Sequence, residues 1–168
     1  VIAEKSGISV GALYKYFETK ENLFLTVSMH AVDQLKQKLK EVELSGGDLF
    51  SKIELILKII LKHSRENREM INLYNEITTE GNKELADKLS YQMESATADY
   101  YTKLIKEAKE SGVIDENIDP QMWAFCLDNL FMSLQFSYAS EYYKERMKTY
   151  VSQNIMEDDQ RVISGVMQ

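Results

Sequence analysis

The chain has 168 residues, enough for one good core or for a small domain attached to a larger one. A single proline and seven glycines leave little material for a turn-rich β fold, so the composition predicts a helical protein. The net charge of −7 argues against a DNA-binding surface over the whole molecule, and the single cysteine, Cys126, excludes an internal disulfide and any multi-cysteine metal site.

The first twenty residues carry the pattern of a helix-turn-helix. Ala3 is small enough for two helices to cross closely, Gly7 can take the left-handed backbone that ends the first helix, and Ser9 can cap the second. Leu13 and Phe17 then form an apolar pair on one helix face. This segment has a charge of +1 and leaves −8 on the remainder, which is typical of a small DNA-binding segment on an acidic body.

The second helix of such a motif lies in the major groove, with its first residues at the base edges. Small residues at its start allow close approach, and the Val10 side chain can touch a thymine methyl. Tyrosine hydroxyls and lysines further along can bind phosphates. The predicted DNA-contacting residues are Ser9, Val10, Gly11, Ala12, Tyr14, Lys15, Tyr16 and Lys20.

The remainder of the chain has the periodicity of amphipathic helices. A linking helix capped by Thr19 is predicted with the apolar stripe Leu23, Val27, Ala31, Leu35 and Leu39, ending near Ser45-Gly46-Gly47. Further helices are predicted over residues 48–65, from Met70 to a break at Gly81-Asn82, and over 83–111. We expect an all-α fold with a DNA-binding domain over residues 1–45, of which 1–20 read DNA, and a larger helical domain over 46–168.

Asp119-Pro120 opens a helix that is apolar over most of its circumference. A helix of this kind is covered on more than one side, and a monomer of this size offers one core. We therefore expect a second subunit to cover the other side. Cys126 lies within this helix with no neighbouring histidine, which predicts a buried, inert thiol.

The stretch from Ile2 to Phe17, followed by Thr19-Lys20-Glu21-Asn22-Leu23-Phe24, strongly resembles the TetR family of bacterial transcriptional regulators. The remainder of the chain matches that family only in helix order and length. The resemblance implies that the DNA-contacting residues meet a double-stranded operator and that the protein regulates transcription, more often as a repressor. The family's first helix and the start of its second have no counterpart, so we expect the helix-turn-helix to be incomplete at its start.

The resemblance also implies a homodimer, in which the Asp119-Pro120 helix and the last helix form a four-helix bundle with their partners. One departure is Asp128-Asn129, where the family often has glycine after an acidic or amide residue. The predicted dimer-interface residues are Leu127, Leu130, Leu134, Tyr138, Val151 and Ile155.

A small-molecule effector pocket among the middle helices is a further implication of the resemblance. The residues expected to line it are Met70, Tyr74, Met93, Tyr100, Trp123 and Phe131. An ordinary core position is the alternative for each of them, although methionines suit an adaptable apolar cavity. No basic residue lies inside an apolar run, which favours a bulky hydrophobic or cationic effector over a small anionic one.

Patterns of catalysis are missing from the sequence. His30 and His63 lack the preceding glutamate of a di-iron bundle, and no glycine-rich phosphate loop occurs. We therefore expect a cytoplasmic protein that is not an enzyme, with no cofactor, no metal and, given its short apolar runs, no membrane span. Two other functions stay open: a TetR-like DNA-binding protein controlled by a protein partner or by no ligand, and a helical interaction protein that does not bind DNA.

Overall fold

The computed structural model describes residues 2–79, 87 and 90–168, and every regular element among them is helical. In chain order the helices are α1 (Ile2–Lys5), α2 (Val10–Phe17), α3 (Lys20–Leu44), α4 (Leu49–Glu66), α5 (Arg68–Thr79), α6 (Ser95–Glu110), α7 (Pro120–Ala139), α8 (Glu141–Tyr150) and α9 (Asp159–Met167). A π-helical turn, Ser90–Glu94, runs directly into α6, and a 3₁₀ turn, Ile155–Glu157, precedes α9. The predicted fold class, an N-terminal helix-turn-helix followed by a larger helical part, is confirmed.

Three helices begin at the capping residues that the sequence predicts. The Ser9 hydroxyl accepts a hydrogen bond from the Ala12 amide at 3.0 Å, and Thr19 Oγ1 accepts one from the Asn22 amide at 3.0 Å. Asp119 accepts from the amides of Gln121 and Met122, directly before Pro120 at the first turn of α7. Each cap satisfies amides that have no partner within their own helix, which fixes where α2, α3 and α7 start. The predicted break at Gly81-Asn82 lies outside the described residues.

Helix α7 is the central element of the larger helical part and packs against α4, α5, α6 and α8. Leu57 and Leu61 of α4 and Leu104 of α6 are buried around Phe131 of α7. The Phe131 and Tyr101 rings meet edge to face with centroids 5.6 Å apart. Burial of each such side chain contributes about 1.5–3 kcal/mol to folding, so this cluster anchors the core.

The buried face of α3 differs from the predicted stripe by one residue over its first half. Phe24, Ser28 and Val32 are buried, whereas Val27, a member of the predicted stripe, is exposed. Leu39 is buried as predicted, and Val42 continues the face. Both series recur at helical spacing, and the packing of α3 against α4, α6 and the π turn selects between them.

Two arginines tie the corner between α4 and α5 to the C-terminal helices. Arg65 forms a two-pronged ion pair with Asp159 of α9 and donates to the Met156 carbonyl at 3.0 Å. Arg68 Nε donates to the Ala139 carbonyl at 2.8 Å, at the break between α7 and α8. These charge-assisted bonds hold the end of α7 in place. None of the described helices is both long and apolar enough to cross a bilayer.

Candidate DNA-reading and effector sites

The turn between α1 and α2 has the geometry that the sequence predicts. Gly7 has φ of +67°, and the Ile8 amide donates to the Ala3 carbonyl at 3.0 Å. A residue with a Cβ is rarely found in this backbone conformation, which explains the glycine. Ala3 is buried where α1 meets α2, so the two short helices cross closely.

The predicted DNA-contacting residues lie together on the solvent side of α2 and at the start of α3. Tyr16 is 80% exposed, and the side chains of Val10, Tyr14, Lys15 and Lys20 are also exposed. Ser9 and Gly11 are exposed as well, whereas Ala12 is half-buried. The opposite side of α2 carries the half-buried pair Leu13 and Phe17, so α2 packs through one face and offers the other to a partner.

This exposed face has the chemistry that DNA requires. The start of α2 has short side chains and an exposed valine that can approach base edges, and the tyrosines and lysines beyond can bind phosphate oxygens. The N-terminus of α3 adds outward-pointing amides beside Lys20, which favour an anion. A capped recognition helix, a tight glycine turn and this surface together define a helix-turn-helix DNA-binding protein.

A second polar site lies among the middle helices. The Tyr74 hydroxyl of α5 donates to the Glu94 carboxylate at 2.5 Å. Thr97 Oγ1 of α6 donates to the Glu94 backbone carbonyl at 3.1 Å. Burial and the Glu94 charge raise the pKa of the nearby Asp128 carboxyl of α7 to about 6, and Thr97 offsets part of that shift. Burial, together with the same carboxylate, also holds the Tyr74 pKa far above its usual value. We call Tyr74, Glu94, Thr97 and Asp128 the polar cluster.

The sequence predicted only Tyr74 among the members of the polar cluster. Asp128 directly precedes Asn129, the residue that departs from the family's glycine, and its position inside an otherwise apolar helix is a signal for a buried polar site. Glu94 and Thr97 have no such signal, because they fall in a stretch that is rich in polar residues. Their place in the cluster depends on the π turn, which periodicity alone does not predict.

The other predicted effector residues are distributed over three environments. Phe131 is buried in the core against Tyr101, and Met70 and Tyr100 are half-buried. The Tyr100 hydroxyl is buried with no hydrogen-bond partner among the described residues. Trp123 is 51% exposed on the outside of α7, which corrects its expected place in a pocket, and the Met93 side chain lies outside the described part of the chain.

Helix α7 leaves an apolar face uncovered in the single chain. Phe125 is 65% exposed, and Met122 and Leu130 are also exposed at helical spacing on this side. Cys126 lies exposed beside them, so the single chain does not bury its thiol as predicted. Met122, Phe125, Cys126 and Leu130 are named the α7 outer face.

The residues predicted for a dimer interface fall on both sides of α7 and beyond. Leu130 and Val151 are exposed, and Leu127 is half-buried. Leu134, Tyr138 and Ile155 are buried in the core of the same chain, because α4, α8 and α9 cover them. These three side chains have almost no surface left for a second subunit, so they do not belong to the expected interface.

Comparison with known proteins supports the class that the fold defines. Residues 1–27 match the family model described as bacterial regulatory proteins, tetR family. The uncharacterized HTH-type transcriptional regulator YhgD of Bacillus subtilis (strain 168) is 22% identical over 142 residues, covering 84% of this chain and 73% of that protein. The resemblance of the helix-turn-helix segment to the TetR family is therefore confirmed, and the relative matched over most of the chain is named as a transcriptional regulator, not as an enzyme.

Solved structures share the whole architecture. The fatty acid degradation regulator FadR from Bacillus halodurans superposes with a TM-score of 0.75 at 16% identity, covering 98% of this chain and 86% of that one. FadR from Bacillus subtilis, in complex with stearoyl-CoA, has a TM-score of 0.77 at 15% identity, covering 97% of this chain and 83% of that one.

Within the described residues, no group of three or more His, Cys, Asp or Glu side chains is placed to hold a metal ion.

Proposed function

We propose that the protein is a homodimeric, ligand-responsive repressor that binds a near-palindromic operator and is released by a hydrophobic effector. Residues 1–45 would form the DNA-binding domain and residues 46–168 the effector-binding and dimerisation domain. The observation that carries the proposal is the exposed face of α2, with Tyr14, Lys15 and Tyr16 beside a start of short side chains. Two such helices one DNA turn apart would enter successive major grooves. Chromosomal DNA as the target implies a cytoplasmic protein.

The α7 outer face supports the homodimer. Exposed aromatic and aliphatic side chains in one patch are costly in water, and covering them with a second copy removes that cost. Leu130 and Val151 remain from the expected interface, and Met122, Phe125 and Cys126 extend it. A two-fold axis through this face would place one recognition helix on each side of the dimer.

The effector we propose is bulky and hydrophobic, with no negative charge in its buried part. Tyr74, Tyr101 and Phe131 supply aromatic surface, while Glu94 and Asp128 add carboxyl groups that disfavour a buried anion and favour a cation. The stearoyl-CoA in the Bacillus subtilis FadR structure supports a long apolar effector in this fold. The coupling between effector and operator binding would be about 1–3 kcal/mol.

The DNA-binding part is tested with duplexes that the protein itself selects from a random pool. Affinity for the enriched duplex should fall at least tenfold in Tyr14→Ala and Lys20→Ala, and it should weaken steeply with salt. Lys36→Ala is the matched control, because Lys36 is an exposed lysine on α3 away from the reading face. Equal losses of affinity in Lys20→Ala and Lys36→Ala would contradict the assigned DNA-binding face. Unchanged affinity in both Tyr14→Ala and Lys20→Ala would contradict it as well.

The dimer is tested by sedimentation at micromolar concentration. Phe125→Asp should convert dimers to monomers, since a charge would be buried in the proposed interface. Phe50→Asp is the control, because Phe50 is likewise exposed, at 48%, but belongs to α4 and not to the α7 outer face. A monomeric wild-type protein, or a Phe125→Asp variant that stays dimeric, would remove the α7 interface from the proposal.

The effector class is tested with two probes, a lipophilic quaternary ammonium compound and stearoyl-CoA. The proposal expects the ammonium compound to raise the melting temperature and to release the selected duplex. Release by stearoyl-CoA alone would replace the cationic effector with an acyl-CoA. If neither probe changes melting or DNA binding, the alternative of control by a protein partner, or by no ligand, is favoured. The match of residues 1–27 to the tetR family model supports DNA binding over the other alternative, an interaction protein that does not bind DNA.

A further inference from the structure

The junction between the recognition helix α2 and the linking helix α3 is a strained turn. Glu18 has φ of +58° and ψ of −50°, and among the described residues no other residue except glycine has a positive φ. The Thr19 amide donates to the Phe17 carbonyl at 2.5 Å across Glu18. These values define the rare γ-turn, which is unfavourable for a residue that carries a Cβ.

The strained turn is held from both sides. The Glu18 amide donates to the Tyr14 carbonyl at 2.9 Å, which closes the last turn of α2. Thr19 is extended and caps α3 through the Asn22 amide, so α3 begins one residue after the γ-turn. Only Glu18 and Thr19 separate the two helices, and α2 is therefore fixed to α3 with very little freedom.

The side chain of Glu18 is exposed next to the reading face, between Tyr16 and Lys20 in the chain. A carboxylate there opposes phosphate binding, and a glycine would remove both the charge and the backbone strain. Glutamate is therefore unfavourable here both for phosphate binding and for the backbone conformation. Its advantage over glycine is that its Cβ restricts the backbone dihedral angles of the turn.

We propose that Glu18 is a positioning residue for DNA reading, whose restricted backbone holds α2 at the angle to α3 that the operator requires. This inference rests on the proposed function, in which α2 reads DNA. A residue with a Cβ in the γ-turn keeps the reading face preformed before DNA arrives. With glycine the turn would be less strained, but the angle between α2 and α3 would be less restricted in the free protein. Each binding event would then have to order that angle, which lowers affinity.

The test compares Glu18→Gly with Glu18→Gln in the full chain, using a duplex that the wild-type protein has enriched from a random pool. Both variants remove the same charge, so their salt dependence of binding should be the same. Glu18→Gln should bind more tightly than the wild-type protein. Glu18→Gly should bind the duplex about two- to fivefold more weakly than Glu18→Gln. The melting temperature of Glu18→Gly should nevertheless lie about 2–4 °C above that of Glu18→Gln, because the backbone strain is relieved.

The opposite movement of melting temperature and affinity separates positioning from a purely structural role, which would raise or lower both together. Equal affinity of Glu18→Gly and Glu18→Gln would overturn the inference, and so would a Glu18→Gly protein that melts below Glu18→Gln. Failure of the wild-type protein to enrich any duplex would instead refute the proposed function. The two failures are therefore distinguishable.

Discussion

The hydroxyl of Tyr74 and the carboxylate of Glu94 join α5 to the π turn in front of α6. The π turn also packs against α3, the helix that continues from the recognition helix. π-Helical turns are rare and often mark functional sites. The Tyr74–Glu94 bond thus connects the proposed effector region to the helix that carries the DNA-reading segment.

Replacing Tyr74 by phenylalanine tests how much the Tyr74–Glu94 hydrogen bond contributes to stability. We expect the free energy of unfolding to fall by about 1–2 kcal/mol, since a partly buried carboxylate loses a hydrogen-bond donor. Urea denaturation measures the change. Tyr142→Phe, at an exposed tyrosine of α8, should change it by less than about 0.5 kcal/mol. Similar changes in the free energy of unfolding of Tyr74→Phe and Tyr142→Phe would show that the Tyr74–Glu94 hydrogen bond does not stabilise the fold.

The Asp128 carboxyl predicts a dependence of stability on pH. Its pKa is raised to about 6, so the protonated form stabilises the fold fully below about pH 4, and this contribution is lost as the pH rises through 6. Asp128→Asn should therefore raise the free energy of unfolding at pH 8, by about 1–2 kcal/mol because the side chain is only partly buried. At pH 4 the variant should match the wild-type protein.

Denaturation of Asp128→Asn at both pH values gives the answer. Asp99→Asn, at an exposed position of α6, is the matched control and should show no such difference between pH 4 and pH 8. A gain in Asp128→Asn that is the same at both pH values would point to packing rather than ionisation.

Two glycines of the helix-turn-helix should respond to alanine with opposite signs. Gly7→Ala should lower the free energy of unfolding by about 1 kcal/mol, because φ is +67°. A Cβ there meets no atom within 4 Å, so the cost is one of backbone conformation alone. Gly11→Ala should raise it by about 0.5–1 kcal/mol, since Gly11 is an exposed helical residue.

DNA binding should separate the same two glycine variants in another way. Gly11→Ala should weaken binding of the selected duplex despite its greater stability, because its methyl group lies between α2 and the base edges in the proposed complex. Thermal melting and binding titrations measure the two effects. A Gly11→Ala protein that binds DNA like the wild-type protein would move the contact surface away from the start of α2.

The Ser9 cap makes a prediction about helix α2 alone. Ser9→Ala should cost about 1 kcal/mol and speed hydrogen exchange of the α2 amides, since the Ala12 amide loses its acceptor. Ser9→Asp should restore the protection, because aspartate also caps helices. It should still bind DNA weakly, as its charge opposes the phosphates. Recovery of DNA affinity in Ser9→Asp would show that Ser9 contributes through the cap only.

Local features of the fold were predictable because they depend on few neighbouring residues. The caps at Ser9, Thr19 and Asp119 and the turn at Gly7 follow from the hydrogen-bonding and backbone properties of those residue types. The exposed reading face of α2 follows in the same way. Its opposite side needs only Leu13 and Phe17 to pack.

Long-range packing was less predictable. Periodicity identifies an apolar helix but not the elements that cover each side. Tyr138, expected at a subunit interface, therefore lies in the core, and Cys126, expected to be buried, is exposed in the single chain. Trp123 was placed in a pocket for the same reason. Glu18 gave no signal at all, because nothing about a glutamate indicates a positive φ.

The length of α3 determines how far one of its ends moves when the other end tilts. Its 25 residues form a continuous rod of about 37 Å, and its C-terminal end is tied to α6 by the ion pair between Glu43 and Lys103. A tilt of about 5° at that end displaces the other by about 3 Å, roughly one base-pair step. In the proposed mechanism, a shift of this size would move α2 relative to the groove that it contacts, so small rearrangements around the effector would change DNA binding.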